Sequence, residues 1–190
     1  MSKNLNITLS PLEPNDREQF ILDNQKAFKF GATEEFGMRN NNFEEDGEII
    51  SRKTIERAID SKNAETYRII LDNKKIGGIV LQIDKENKTG ELVLFFINPE
   101  FHNKGAGYGS WIAVEKKHPE IKIWETVTPY FEKRNIHFYV NKCGFHIIEF
   151  YHKKHRDTRH FPNDEKKEND NKEEDHGEDE MFRFQKIIKN

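Results

Sequence analysis

The part of the chain best equipped for chemistry is a glycine-rich turn near its middle. An apolar run, ELVLFFI, ends just before Pro99, and after five more residues Gly105, Gly107 and Gly109 stand at alternate positions. Glycines at a turn from a strand into a helix let consecutive backbone N–H groups face outward together, because no Cβ atoms stand in the way. Such amides, with the positive end of the helix dipole, bind anions such as a pyrophosphate. Lys104 adds a positive charge at the edge of the turn.

The glycine spacing excludes two other phosphate-binding motifs. A P-loop requires the pattern G-x4-G-K-S/T, which this sequence lacks. A dinucleotide-binding fold has G-x-G-x-x-G in its first strand–helix–strand unit, whereas this turn follows a predicted run of antiparallel strands. Taken alone, the sequence GAGYG is as consistent with a simple tight turn as with phosphate binding.

A second group of polar residues follows about 30 residues later. Asn135 and Tyr139 are four positions apart, so on a helix they share one face. Gly144 ends this predicted helix, and glycine suits a helix C-terminus because it accepts a positive φ. The combined pattern is a strand, a glycine-rich turn into a helix, a second strand and then N-x3-Y-x4-GF.

This combined pattern resembles the GNAT superfamily of acyl-CoA-dependent N-acyltransferases. The resemblance extends from the first predicted strand to Phe150 and includes the closing segment MFRFQKII, and it is most specific in the middle of the chain. It implies an α/β (α+β) fold with a central, mostly antiparallel twisted sheet flanked by helices. It also implies acetyl-CoA as cosubstrate and a primary amine, of a small molecule or a peptide, as acceptor.

The resemblance assigns the pyrophosphate to the glycine-rich turn. In the family this loop opens with Gln or Arg, a position that His102 takes here, while Gly105 and Gly107 match the pattern. We expect binding to survive the change, because the family uses mainly backbone amides at this loop. The strand before the loop and Asn135 are expected beside the pantetheine arm. The implied cofactor-binding residues are Phe95, Phe96, Ile97, His102, Asn103, Lys104, Gly105, Ala106, Gly107, Tyr108, Gly109 and Asn135.

Acyl transfer to an amine requires two proton transfers: the ammonium must lose a proton before it attacks, and the leaving thiolate must gain one. The resemblance assigns the second transfer to Tyr139, because a phenol with a pKa of about 10 can donate to a thiolate whose thiol has a pKa of about 8.5. For the base it offers Glu91, six residues before Ile97, with Glu125 as second choice. Alternatively, Tyr139 only packs in the core and Glu91 is a plain charge at a strand edge.

The hydrophobic pattern places these residues in a mixed α/β domain. Helical spacing predicts helices over about 16–31, 51–61, 109–118 and 132–143. Strand patterns cover 7–12, 66–71, 76–83, 91–98, 121–128, 145–151 and 181–188. Tight turns join the three central strands of this series, which predicts an antiparallel meander.

Length and composition limit the class of protein. The length of 190 residues predicts a single domain, 1–190. Cys143 is the only cysteine, which excludes an internal disulfide and favours a reducing compartment. The longest apolar run, residues 92–97, is far shorter than the ~20 residues of a membrane span, and the N-terminus lacks an apolar signal core. We therefore expect a cytoplasmic protein with no membrane partner.

Charge is concentrated near the C-terminus. Residues 163–180 contain ten Asp or Glu against three Lys, so this segment carries −7 and the rest of the chain +4 of a total of −3. A charge of +4 does not by itself indicate nucleic acid, and no such partner is expected. Because 181–188 return as a strand, we interpret about 152–180 as a charged, mobile insertion before the last strand.

Several other features have plain structural interpretations. Trp111 and Trp124 fit core aromatic residues, and Cys143 fits a small buried hydrophobic residue. The three histidines between residues 152 and 160 are not joined by Cys or carboxylates at ligand spacing, so no metal is expected.

The sequence thus predicts an N-acetyltransferase that moves acetyl from acetyl-CoA to a primary amine by direct attack. The main alternative is a non-catalytic acyl-CoA-binding protein of the same fold, a sensor or a scaffold. A weaker alternative is an interaction protein that uses the acidic insertion. The first helices and last loops, which set the acceptor in this family, are the least diagnostic stretches here. The acceptor and the acyl chain length therefore stay open. The oligomeric state also stays open, and a homodimer is one option.

Overall fold

The computed structural model describes residues 5–32, 48–102, 104–157 and 180–189, so most of the predicted charged insertion lies outside the described residues. The strands are β1 (Ile7–Pro11), β2 (Ala64–Leu71), β3 (Lys74–Asp84), β4 (Thr89–Ile97), β5 (Ile123–Pro129), β6 (His146–Tyr151) and β7 (Met181–Ile187). The helices are α1 (Arg17–Phe30), α2 (Arg52–Ile59), α3 (Ala106–Lys117) and α4 (Lys133–His137), and a π-helical turn (Phe138–Lys142) continues α4. None of the helices described is long and apolar enough to cross a membrane.

The strands form one sheet in the order β1-β2-β3-β4-β5-β7-β6. Neighbouring strands pair antiparallel, except that β4 and β5 are parallel. A parallel pair requires a crossover connection, and α3 provides it. The predicted fold class is confirmed, with the meander as β2, β3 and β4. Strand β7 lies between β5 and β6, so the charged segment before it joins two neighbouring strands.

Helices cover both faces of the sheet. On one face Trp111 of α3 packs edge-on against Trp124 of β5, with ring centroids 5.3 Å apart, and Cys143 is buried in the same cluster. On the other face Phe20 of α1 packs edge-on against Phe96 of β4, with centroids 5.2 Å apart. The two tryptophans and the cysteine are therefore core residues, as predicted.

Strand β4 changes the face it presents partway along its length. Leu92 pairs with Leu81 and Leu94 pairs with Val80, so Val93 is an extra residue in the strand, a β-bulge. Leu92 therefore belongs to the core beneath α3, whereas Leu94 belongs to the core beneath α1. A bulge of this kind bends its strand and increases the local twist.

Beyond the bulge, β4 and β5 separate. Their parallel pairing covers only residues 89–91 with 123–125. One further link is the Thr126 hydroxyl, which donates to the Leu92 carbonyl at 2.9 Å. Within the described residues, the β5-facing edge of β4 over 93–97 consequently has no partner strand. The C-terminal ends of the two strands enclose a wedge-shaped gap.

Helix α3 begins earlier than the sequence predicts. It starts at Ala106 rather than Gly109, because Gly105 adopts φ +77° and forms the N-cap. The predicted tight turn is therefore shorter than the glycine pattern suggests, and Gly107 and Gly109 belong to the first turn of the helix.

The helix predicted over residues 132–143 also differs from the observed one. It is α-helical only over Lys133–His137 and then continues as the π-helical turn Phe138–Lys142. The defining bond runs from the Cys143 N–H to the Phe138 carbonyl, five residues earlier, at 3.0 Å. Such turns insert one extra residue into a helix and are frequent at functional sites.

A buried ion cluster fixes the start of α1 on the sheet. Arg68 of β2, with 2% of its surface exposed, donates to the Asp16 carboxylate at 2.8 and 3.0 Å and to Asp23 at 2.8 Å. Its guanidinium also lies 5.1 Å from the ring centre of Phe20. Burial disfavours the charged form of Asp16, but Arg68 and Lys75 outweigh this effect and hold the pKa of Asp16 below its ordinary value.

We expect Arg68→Met to lower the free energy of unfolding by about 3–5 kcal/mol, because it leaves the buried Asp16 carboxylate without its guanidinium. Urea denaturation monitored by circular dichroism measures this loss. Arg17→Met is the matched control, since it breaks the exposed ion pair with Asp60 and should cost far less. Equal losses in the two variants would contradict a structural role for the Arg68 cluster.

Candidate active site

A cleft of about 590 Å³ lies between the end of β4, the start of α3 and the helix that follows β5. It is lined by Phe95, Phe96, Ile97, Phe101, His102, Gly105, Ala106, Gly107, Tyr108, Arg134, Asn135, His137, Phe138, Tyr139 and Lys142. These include nine of the twelve cofactor-binding residues predicted from the sequence, together with the predicted acid Tyr139. The fold thus gathers the two chemically informative segments of the sequence around one space.

The start of α3 forms one wall of this cleft. Gly105 has φ +77°, a left-handed conformation that residues with a side chain rarely adopt. The first intrahelical bond runs from the Gly109 N–H to the Gly105 carbonyl at 3.0 Å. The amides of residues 106–108 therefore have no acceptor within the helix. Together with the positive end of the helix dipole they suit a phosphate group.

Gly107 is a point of close approach between α3 and the π-helical turn. A Cβ atom at this position would lie 3.3 Å from Cε2 of Phe138. Phe138 in turn packs against Phe95 of β4, with ring centroids 5.8 Å apart. The missing side chain at 107 therefore keeps the space open where α3, β4 and Phe138 meet.

Three of the predicted cofactor residues are not among the described lining residues. Asn103 lies outside the described residues. Lys104 Nζ donates to the Glu100 carbonyl at 2.8 Å. Gly109 faces β1, since a Cβ there would lie 2.8 Å from Cδ1 of Ile7, so its missing side chain allows α3 to pack closely on that strand. A cofactor contact by any of these three residues stays a prediction.

His102 connects three elements at the edge of the cleft. Its Nε2 donates to the Ile97 carbonyl at 2.7 Å, which leaves Nδ1 as an acceptor 3.4 Å from Nη1 of Arg134. Its ring also packs edge-on against Phe30 at the end of α1. His102, which stands where the family has Gln or Arg, therefore anchors the end of β4. The backbone amides of α3 are not affected by this difference.

Tyr139 lies at the inner end of the cleft and is only 7% exposed. Its ring packs against Phe145 and Phe184, with centroids 5.7 and 5.5 Å away. Burial raises the pKa of its phenol well above the ordinary value, and the charge of Glu132 adds to this effect, while a hydrogen bond with Thr126 opposes it. The phenol is therefore neutral at physiological pH and keeps a proton that it can donate.

A polar group at the start of α4 adjoins Tyr139. Asn135 Nδ2 donates to the Glu132 carboxylate, and the Thr128 hydroxyl donates to Glu132 Oε2 at 3.3 Å. The structure thus brings Asn135 and Tyr139 into one cleft. Glu132, which was not among the predicted site residues, lines a smaller adjoining cavity together with Asn135. An acidic residue just before a helix is ordinarily explained by the helix dipole, so its position is not a separate signal for a site.

The two carboxylates predicted as candidate bases lie elsewhere. Glu91 is in register with Gln82 and with Glu125, and it is not among the described residues that line the cleft. Glu125 accepts two hydrogen bonds from Arg183 Nη2, at 2.7 and 2.8 Å, and one from Gln185 at 2.9 Å. Glu125 therefore belongs to an ion pair between β5 and β7, and a base role for Glu91 stays a prediction.

Three basic residues of the cleft were also missed. Arg134, His137 and Lys142 all line it. Arg134 and His137 are three apart, a spacing that places them on one helix face. Residues five apart diverge on an α-helix, but the π-helical turn closes its bonds over five residues and so brings Lys142 to the same side. No pattern in the sequence reveals that turn.

By sequence, the chain is similar to one family of enzymes. Residues 27–145 match the model of the acetyltransferase (GNAT) family. The uncharacterized protein YrkN of Bacillus subtilis (strain 168) is 39% identical over 186 residues, which cover 96% of this chain and 94% of that protein.

The fold is shared with solved structures. The ribosomal-protein-S18-alanine N-acetyltransferase of Escherichia coli superposes with a TM-score of 0.64 at 13% identity, over 96% of this chain and 94% of that one. The PaiA N-acetyltransferase of Thermoplasma acidophilum, solved in complex with coenzyme A, superposes with a TM-score of 0.62 at 17% identity, over 97% and 100%. At these identities the likeness concerns the fold.

Proposed function

The chain belongs to the GNAT acetyltransferase family, and from this premise we propose that it transfers the acetyl group of acetyl-CoA to a primary amine. The observation that carries the proposal is the cleft of about 590 Å³, in which the start of α3, the end of β4 and the neutral phenol of Tyr139 border one space. Its volume is in the range of small-molecule and cofactor sites, about 300–1,000 Å³.

The residues present fit coenzyme A. The amides of residues 106–108 and the dipole of α3 would hold the pyrophosphate. Arg134 and Lys142 line the same cleft and would compensate the phosphate charge. The pantetheine arm carries amide groups, and the edge of β4 over 93–97, which has no partner strand in the described residues, can bond with them as a strand would.

The side chains supply what acetyl transfer needs. In the reaction the amine nitrogen attacks the thioester carbonyl, a C–N bond forms and the C–S bond breaks. Backbone N–H groups of β4 would donate to the carbonyl oxygen as it gains negative charge. Tyr139 would donate its proton to the departing sulfur. A phenol is protonated at neutral pH even at its ordinary pKa, and burial makes Tyr139 a weaker acid rather than a stronger one.

We propose direct transfer without an acyl-enzyme. None of the described residues that line the cleft is a Ser or Cys. Cys143 is buried, and burial raises the pKa of its thiol to about 12, so it does not supply a thiolate nucleophile at neutral pH. Both reactants must therefore be bound at the same time.

The ammonium of the acceptor must lose a proton before it attacks, which requires a base. Glu91 is our candidate from the sequence, and since it is not a lining residue of the cleft, it would take the proton through water. Glu91→Gln tests this role, because a base acting at Glu91 predicts a lower kcat with an unchanged affinity for coenzyme A.

The first experiment is thermal unfolding with acetyl-CoA, with free CoA, and with ATP and NAD as controls. At 100-fold excess over Kd, binding stabilises the folded state by about 2.7 kcal/mol, which raises Tm by roughly 5–10 °C for a chain of this length. We expect such a shift with the CoA compounds only. No shift with folded protein would contradict the proposal and favour an interaction protein.

Turnover separates the enzyme from a non-catalytic acyl-CoA-binding protein. We expect CoA release from acetyl-CoA to depend on an added primary amine in a panel of amines. Binding of acetyl-CoA without amine-dependent release from any member of a broad panel would favour the sensor or scaffold.

A further inference from the structure

A second, smaller cavity of about 100 Å³ adjoins the cleft. The two cavities share the end of β4, His102 and the start of α4. The smaller one extends to the end of α1, and the residues that line it alone are Ala27, Phe28, Gly31, Ala32 and Glu132. It therefore joins the cleft beside Asn135 and the β4 backbone, and it lies on the side of the sheet that α1 covers.

Glu132 gives this cavity a negative charge, and Arg134 gives it a positive one. Glu132 is the only carboxylate among the described residues that line either cavity. Asn135 Nδ2 and the Thr128 hydroxyl both donate to it, which fixes the orientation of the carboxylate. Its charge also acts on the phenol of Tyr139, so the two groups are neighbours. A negative charge thus stands beside the proposed acid, where an acceptor amine has to arrive.

The rest of the wall combines apolar or small residues with three polar ones, His102, Arg134 and Asn135. Phe28 and Phe96 contribute aromatic surface, and Phe96 is only 4% exposed. Gly31 and Ala32 add little side-chain bulk. At 10–15 Å³ for each water-sized group, about 100 Å³ admits roughly seven to ten such groups, so the cavity takes a short alkyl chain or a single ring.

Resting on the proposed acetyl transfer, we propose that this cavity is the acceptor site and that it takes small primary monoamines with an apolar body, whose ammonium group binds to Glu132. An ammonium paired with a carboxylate forms a charge-assisted hydrogen bond, and aromatic faces tolerate a nearby cation. A polyamine fits less well, because its second ammonium would lie against the apolar wall or near Arg134.

The substrate class is tested with probes of matched shape. With acetyl-CoA present, 2-phenylethylamine and butylamine should show higher kcat/KM than spermidine or a peptide N-terminus. As an inhibitor, 2-phenylethanol should bind more weakly than 2-phenylethylamine, since it lacks the charge that Glu132 attracts. Preference for spermidine or the peptide would overturn the proposal, even if CoA binds and acetyl transfer proceeds.

The role of Glu132 is tested with Glu132→Gln, which keeps the shape of the side chain. We expect KM for 2-phenylethylamine to rise about 10- to 100-fold with a smaller change in kcat, because a hydrogen bond to a charged group contributes about 1.5–3 kcal/mol. The preference for the amine over 2-phenylethanol should disappear, while the affinity for CoA is unchanged. Glu86→Gln, in the exposed turn between β3 and β4, is the control and should change none of these values.

The two proposals fail in different ways. If the unaltered protein does not bind CoA, the proposed acetyl transfer itself is refuted. An intact CoA affinity and turnover with an unchanged KM in Glu132→Gln would refute only the acceptor site.

Discussion

Tyr139→Phe is expected to lower kcat about 10- to 1000-fold while the Kd for CoA changes by less than about threefold. The range is that of one group acting in acid–base catalysis. The substitution removes the proton donor to the departing sulfur, and it leaves in place the ring that packs between Phe145 and Phe184. Steady-state kinetics with saturating acetyl-CoA measures kcat, and calorimetric titration measures the affinity.

The control is Tyr130→Phe, which removes a hydroxyl from an exposed tyrosine between β5 and α4. It should leave kcat unchanged. Tyr139 also bonds with Thr126, so the Tm of each variant must be measured to separate lost chemistry from lost stability. An unchanged kcat in folded Tyr139→Phe would remove Tyr139 from the mechanism. A fall in kcat with equal loss of CoA binding would assign the residue to packing.

The second large effect is expected from Gly107→Val, which should weaken CoA binding about 10- to 100-fold. Even a Cβ at 107 would lie 3.3 Å from the ring of Phe138, and the two methyl groups of valine must extend into the cleft or against that ring. Losing one hydrogen bond from a helix amide to a phosphate costs about 1.5–3 kcal/mol, which sets the size of the effect. Calorimetric titration with CoA measures it.

Gly107→Ala is the graded control, since one methyl group needs a shift of only a few tenths of an ångström. It should weaken CoA binding less than the valine does. Equal affinity in the wild type and in folded Gly107→Val would show that the start of α3 does not hold the phosphates.

The glycine pattern and the position of Tyr139 are examples of what could be predicted from the sequence. A left-handed residue such as Gly105 leaves a local signal, because few other residues adopt its φ. The spacing of Asn135 and Tyr139 is also local. Both segments line the cleft, although the prediction placed the start of α3 three residues late.

The carboxylate that faces a site could not be predicted from the sequence. Glu91 and Glu125 stand at suggestive positions in the sequence, yet neither is a described lining residue of the cleft, and Glu125 is paired with Arg183 across the sheet. Glu132 was not among the predicted site residues, although it is the only carboxylate among the described residues that line the adjoining cavity. Which acidic residue faces a site depends on strand register and helix contacts between distant segments.

Periodicity and backbone preferences within a few residues were enough to predict the order of the strands and helices, the mostly antiparallel sheet and the glycine-rich turn before α3. Three further features arise only in the folded chain. The bulge at Val93 separates β4 from β5, the π-helical turn brings Lys142 to the cleft, and the end of α1 meets Glu132. Each depends on packing contacts between segments far apart in the chain, and such contacts produce no periodic pattern in the sequence.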